Sequence, residues 1–307
     1  MYGQSLQTGK SKINMINSSK LPITVFLAVK NEEANIARCL AALDPVEKVI
    51  LIDSHSTDKT LEIAEKYGAE VIQFDYNGKH PKKRQWALDK VPVKTDWIML
   101  LDADEIVSRE LWAEIRYSLS VPSYDAFLIM KGFHFMGRRF KFGGFSHSAI
   151  LLFKKGKARF ERLVDEAEND LDMEVHERLL VDGDIAKLKT SLIHEDFKGL
   201  EAYIKQHEKY ADWEARARFQ FVTKGTWGIG EGVKSSISGN LQERRRFLKS
   251  VLIHMPFEHI IWFVYHYFCR FGFMEGKPGF VAAKIRAQYI MKVRKKMKEL
   301  FRENSTD

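Results

Sequence analysis

Five consecutive apolar residues, Trp97–Leu101 (WIMLL), run without a break into Asp102, Ala103, Asp104 and Glu105. A run so short and so uniformly apolar leaves no face for water, which predicts a central strand of a parallel sheet covered on both sides. Such sheets bind ligands at the carboxyl ends of their strands, and the two aspartates stand at that end. Whatever precedes this strand must supply its neighbours.

The preceding residues do so. Leu21–Val29 (LPITVFLAV) reads as a first strand, and the following NEEANIARCLAAL places Ile36, Leu40 and Leu43 at helical spacing. Residues 48–52 (KVILI) repeat the strand signal, DSHSTDKT is loop-like, LEIAEKYGAE reads as a helix ending near Gly68, and residues 71–74 give a third strand. Strands alternating with helices predict an α/β fold with parallel pairing. After a helix at Arg109–Leu119 the alternation stops. AFLIM and AILLF read as strands around the Gly- and Phe-rich KGFHFMGRRFKFGGF, residues 154–190 read as charged and irregular, residues 200–219 as a helix, TKGTWGIGEG as a glycine-rich loop and the remainder as helical, with no internal repeat.

Composition bounds the possibilities. With 307 residues, 45% of them hydrophobic, the chain can bury a sizeable core. Its two cysteines, Cys39 and Cys269, write no disulfide framework and no zinc spacing, so a reducing, cytoplasmic setting is expected. The polar opening MYGQSLQTGKSKINMINSSK lacks the apolar stretch of a secretory signal and reads as a disordered lead-in over residues 1–20. The net charge of +8 is uneven, because residues 284–302 carry eight Lys and Arg against Glu299 alone. A basic terminal helix faces nucleic acid, an anionic membrane or plain solvent, and composition does not choose. The most apolar stretch, MPFEHIIWFVYHYFCRFGFM, is interrupted by Glu258, His259, His266 and Arg270. It falls short of the roughly 18 to 20 uninterrupted apolar residues that span a bilayer.

The sharpest chemical signal is the pair Asp102 and Asp104. Two carboxylates at a buried strand end can hold a divalent ion against a diphosphate, whereas an isolated DxD is more often a solvated turn or helix cap. Placement after WIMLL, with Asp53 ending another strand, favours the ion. At Asp53 a carboxylate can accept hydrogen bonds from a base or ribose, while Ser56, Thr57 and Asp58 serve equally as caps for the next helix. Lys30, Asn31, Glu32 and Glu33 occupy the first strand-to-helix turn, where acidic residues also complement a helix dipole. Lys79, Lys82, Lys83 and Arg84 (GKHPKKRQWAL) either pair with phosphates before a helix starting near Pro81 or form a solvated charge run.

VFLAVKNEEANIARCL, VILIDSHSTDKT and IMLLDADE together resemble glycosyltransferase family 2, whose members have the Rossmann-like, nucleotide-diphospho-sugar transferase (A-type) fold. The resemblance extends through DMEVHE at 172–177, LIHEDF at 192–197, YIKQHEKYADWEA and FGFMEGKPGF to a subgroup that contains lipopolysaccharide-core β-1,4-glucosyltransferases and related polysaccharide enzymes. It implies a catalytic domain at 21–198, with a donor half at 21–120 and an acceptor half at 121–198. A helical appendage at 199–307 carries an interfacial membrane-binding segment.

By the same resemblance, Val29, Asn31, Glu32, Asp53, Ser54, Lys83, Arg84, Asp102 and Ala103 bind the donor, Asp53 at the uracil or ribose and Asp102 at the ribose. Asp104 holds a divalent metal, Mn2+ or Mg2+, with His194 as a further ligand for metal or phosphate. Glu177 is the base of an inverting transfer, and His176 and Phe145 contact the acceptor. The bland alternatives are a surface ion pair for His176 and Glu177, a structural role for His194, and core packing for the phenylalanines. Gln85 departs from the family, where many members have asparagine, and AILLF has leucine where many have arginine.

The implied reaction moves a hexose, by default from UDP-glucose, to an envelope glycan or lipid-linked acceptor at the inner face of the cytoplasmic membrane. The aromatic and basic C-terminal segments fit an anionic surface. A sugar-phosphate nucleotidyltransferase would need a glycine-rich phosphate loop, which KNEEANIARC lacks. A non-enzymatic membrane or nucleic-acid module leaves Asp53, Asp102, Asp104 and Glu177 unexplained. Nucleic acid is disfavoured because the cations cluster at the terminus instead of interleaving with aromatics.

Overall fold

The computed structural model describes residues 20–121, 123–163, 172–174, 177–228, 232–239 and 241–304. The polar lead-in up to residue 19, His176 and part of the glycine-rich loop lie outside these residues. The first half builds four parallel strands: β1 (Leu21–Val29), β2 (Val46–Asp53), β3 (Glu70–Gln73) and β4 (Trp97–Leu101). Between them run helices α1 (Ile36–Ala41), α2 (Thr60–Lys66) and α3 (Lys83–Lys90). Every residue of β4 is buried, as its unbroken apolar run requires.

The sheet continues past β4 in mixed orientation. A two-residue β5 (Glu105–Ile106) and helix α4 (Arg109–Leu119), whose Ser108 caps the Leu111 amide, lead into β6 (Ala126–Phe135), the short β7 (Arg138–Arg139) and β8 (His147–Lys154). The strand order is β3-β2-β1-β4-β8-β6-β11-β5, with β8 antiparallel to both β4 and β6. β1 lies between β2 and β4, so successive crossovers leave it in opposite directions and open a crevice at its carboxyl end.

Residues 154–190 are more regular than their composition suggests. They contain β9 (Ala158–Phe160) and β10 (Leu179–Val181), which pair as a separate ribbon, and the start of β11 (Ile185–His194). β11 pairs in parallel with β6 and ends at His194 beside Phe133, on the same edge as Asp102. Its lysines at 187 and 189 hid the strand, because Leu188 and Leu192 alone are buried there.

Helices take over from Gly199. α5 (Gly199–Lys224), α6 (Leu241–His254), α7 (Glu258–Val264) and α8 (Lys277–Glu303) pack on one another, α5 against α8 through Ala211, Ala215, Tyr289, Ile290 and Val293. A π turn at Tyr265–Cys269 and a 3-10 turn at Gly272–Glu275 join α7 to α8. Gly279 is needed at that junction, since a Cβ there would overlap the Gly272 carbonyl. Buried Glu275 accepts the Lys141 and Phe142 amides at 2.7 and 2.8 Å and the Arg138 guanidinium at 2.8 Å, which docks the helices onto the β7–β8 connection.

The helices are also tied by a buried ionic network. Arg218 on α5 binds Glu214 at 2.7 Å and Glu258 on α7 at 2.8 Å, Glu214 accepts the Tyr289 hydroxyl at 2.6 Å, and Glu258 meets Arg294 at 3.3 Å. Removing one partner of such a group leaves uncompensated buried charge. Arg218→Ala should therefore lower unfolding stability by roughly 3–5 kcal/mol, measured by denaturant titration of the full chain, whereas a loss under 1 kcal/mol would show that the network contributes little.

Candidate active site

The carboxyl edges of β1, β2, β4, β6 and β11 bring Val29, Asp53, Asp102, Lys131 and His194 to one side of the sheet. The turns after β1 and β2 are laced together. Asn31, in left-handed conformation, accepts the Thr57 amide at 2.8 Å and donates its own amide to Ser56 at 2.9 Å, while Glu32 and Glu33 donate theirs to Thr60 and Asp58. Ser56, Thr57 and Asp58 thus tie two loops together, beyond any capping role. Asp53 is fully buried and accepts the Ser56 amide and hydroxyl at 2.9 and 2.5 Å. Glu32 pairs with Lys198 at 2.6 Å.

Lys82 and Lys83 do not form a solvated run: they are 4% and 2% exposed. Lys83 donates to the Val29 carbonyl at 2.9 Å and pairs with Asp172 at 2.9 Å, and Asp172 also accepts the Ser54 hydroxyl. Glu174 accepts the amides of Arg84 and Gln85 at 3.0 and 2.9 Å, capping α3 from 90 residues away in sequence. Asp172 and Glu174 are thereby pinned against the start of α3, and Glu177 meets Lys82 at 3.3 Å. Gln85, where the family pattern has asparagine, bridges Asp89 and the Phe160 amide at 2.8 and 2.7 Å.

Asp102 binds Arg84 with one oxygen and Lys131 with the other, at 3.1 Å for Lys131, and Lys131 also contacts fully buried Glu105. Burial alone would raise the Asp102 carboxyl, but Arg84 and Lys131 outweigh it and hold it well below the usual carboxylate range. Burial pushes Glu105 up, with Lys131 opposing and Asp102 reinforcing the rise. Ala103 is buried between the two aspartates. Asp104 meets His194 at 3.2 Å; burial disfavours the charged imidazole, but the hydrogen bond and charge of Asp104 prevail and raise it to about 9.

A cavity of about 350 Å³ opens on this edge, lined by Asp102, Arg84, Lys131, Glu174 and Glu177 and also by Arg178 and residues of α6. Glu177 has a side chain 6% exposed, and burial lifts it to about 7, with Lys82 opposing and Glu174 adding to the rise. Phe145 does not line this cavity; it stacks on His266 with centroids 4.5 Å apart and packs with Phe133 and Phe140. Sequence reasoning missed Lys131, Glu105 and Asp172. A lysine inside the otherwise apolar AFLIMKGFHF was the available signal for the first, since such a residue is buried only with a partner.

An order-reversing parallel core with carboxylates on its ligand edge, extended by antiparallel strands and followed by helices, is the A-type glycosyltransferase fold with a helical C-terminal region. Residues 24–161 match the family model described as glycosyl transferase family 2. They form a family 2 glycosyltransferase domain, and the protein is a glycosyltransferase. A glycosyltransferase of Rickettsia bellii is 28% identical over 270 residues, covering 86% of this chain and 82% of its own. The lipopolysaccharide core biosynthesis glycosyltransferase LpsC of Rhizobium meliloti is 26% identical over 208 residues, 64% of this chain and 71% of its own. Among solved structures, S. aureus TarS is 17% identical with a TM-score of 0.43, over 91% of this chain and 55% of that one, a likeness too low to carry an argument.

The charge cluster yields a test. Lys131→Met strands Glu105 and Asp102 side by side, and should cost roughly 3–5 kcal/mol at pH 7. A carboxyl whose folded-state pKa lies above its unfolded value costs stability as pH rises through that value. The deficit, read from denaturation midpoints, should therefore shrink at pH 5, whereas a pH-independent deficit would contradict the ionic account.

Proposed function

We propose that the protein is an inverting hexosyltransferase that uses a nucleoside-diphosphate sugar, UDP-glucose by default, and an envelope glycan or lipid-linked acceptor. The observation that carries this reading is one cavity lined by both Asp102 at the donor edge and Glu177, a buried carboxyl near 7. A general base works best with a pKa close to the operating pH. Glu177 takes the proton of an acceptor hydroxyl, the oxygen bonds to the anomeric carbon, and the bond from that carbon to the diphosphate breaks, inverting the configuration. LpsC is named for lipopolysaccharide core biosynthesis, which supports an envelope acceptor.

The donor lies along the edge formed by Val29, Asn31, Asp53, Ser54, Arg84, Asp102 and Ala103. Asp53 and Asp102 accept hydrogen bonds from the base and ribose, Asp102 exchanging part of its bond to Lys131 or Arg84. Asp104 and His194 would hold the divalent cation. Their oxygen and nitrogen face each other at 3.2 Å, and both side chains are partly exposed, at 21% and 29%. Among the described residues no group of three His, Cys, Asp or Glu could hold a metal by itself, so diphosphate and water oxygens would complete the shell. Bound there, the cation supplies charge neutralisation to the departing diphosphate. Lys83 supports the donor turn through Val29.

The helical region docks on an anionic membrane surface. Phe257, Ile260, Phe268, Phe271, Phe273 and Met274 are 47–66% exposed within one short stretch, more than single scattered surface apolars. No helix among the described residues is long and apolar enough to cross a membrane. The basic α8 is partly neutralised within the fold, since Lys292 and Lys296 pair with Glu208 and Asp212 on α5. Apolar insertion is therefore the larger contribution.

UDP release from UDP-glucose in the presence of envelope glycan tests the chemistry. The rate should rise roughly tenfold from pH 6 to pH 8 as Glu177 loses its proton, and Glu177→Gln should lower it by about 10²–10⁴-fold; a variant of undiminished rate would remove Glu177 from the reaction. Sedimentation with phosphatidylglycerol vesicles tests the surface. Wild type should pellet and Phe268→Ser/Phe273→Ser should remain in solution, whereas full recovery of wild type in the supernatant at low salt would refute membrane docking.

A further inference from the structure

The cavity that Glu177 lines also carries four cations from the β10 segment and α6: Arg178, Arg245, Arg246 and Lys249. Two are spoken for: Arg246 pairs with buried Glu161, and Lys249 with Glu214 at 3.1 Å, and both lie over the Trp227 ring at 5.1 and 5.0 Å. The other two are not. Arg178 donates to the Gln242 carbonyl at 2.6 Å, a neutral acceptor, and Arg245 is exposed with no ion pair among the described residues. Burial and the charges of Arg246 and Arg245 push the Arg178 guanidinium down to about 10, with Glu161 opposing, as expected where like charges are crowded without enough counter-charge.

On the donor side of the same cavity, Arg84 and Lys131 are already bound to Asp102. The surplus charge is thus away from Asp102, and it includes Arg178, which directly follows Glu177, the residue that must touch the acceptor hydroxyl. Two guanidiniums that pair with no carboxylate among the described residues match in number the charge of about −1.5 to −2 on a phosphate monoester better than the single charge of a carboxylate. The fork of N–H donors on each suits phosphate oxygens.

We propose that Arg178 and Arg245, backed by Arg246 and Lys249, form an acceptor subsite for a phosphate group, so that the acceptor sugar bears a phosphate near the hydroxyl that is glycosylated. This rests on the assignment of Glu177 as the base. The alternative source of the same chemistry is the donor diphosphate, and the two are separable.

The full-length protein is titrated calorimetrically with inorganic phosphate, alone and saturated with UDP and Mn2+, and Arg245→Gln is treated identically. Arg245 is exposed and makes no ion pair among the described residues, so this variant keeps the fold. The expected result is phosphate binding of similar affinity with and without UDP, weakened at least tenfold in Arg245→Gln, while UDP affinity changes less than twofold. Three results overturn the proposal: wild type that does not bind phosphate, a variant that binds it unchanged, or UDP that displaces phosphate and itself binds the variant more weakly. Failure of UDP to bind wild type sinks the donor reading instead, and the titration without UDP still reports on the arginines.

Discussion

Lys131 reaches from β6 to the carboxyl end of β4, and it holds the carboxylates of Asp102 and Glu105 side by side. Two like charges that close, one of them fully buried, would repel and lose hydration unless a cation stood between them. The end of β4 and β5 supply the acids and β6 supplies the cation, so the site exists only when β6 has been placed next to β8 and β8 next to β4. Arg84 closes the same cluster from α3, and its helix is capped by Glu174 from a segment that follows both. Asp102 and Glu177 are consequently both held by cations at the start of α3, Arg84 and Lys82.

The helical region is equally bound to this arrangement. Trp213 on α5 lies 5.6 Å from the Lys82 ammonium that pairs with Glu177, and α6 forms a wall of the cavity. The buried Arg218 network fixes α5, α7 and α8 to one another, and Lys249 extends it to α6 through Glu214. Loosening those helices would therefore displace a wall of the site.

Much of the parallel part of the sheet is legible in the sequence, because β1, β2 and β4 are apolar enough to leave one reading and lead to chemically distinct residues, Val29, Asp53 and Asp102. β11 was not legible, since its lysines reach solvent from a strand of which only Leu188 and Leu192 are buried. The ambiguity of the 79–84 charge run is resolved only by tertiary contacts, which bury Lys82 and Lys83 against acids more than 85 residues away. The packing of Phe145 is likewise set by tertiary contacts, its ring stacking on His266 more than 120 residues away. The arginine wall was invisible because residues 178 and 245 meet only through packing of α6 on the β10 segment.

The most direct measurement is calorimetric binding of UDP with and without Mn2+, on wild type and on Asp104→Ala. Binding that requires the metal and is lost in the variant is the predicted result, since it places the nucleotide diphosphate at the strand end that organises the rest of the structure. Absence of metal-dependent binding with UDP, GDP and dTDP alike would contradict the account of this edge as a nucleotide-sugar site.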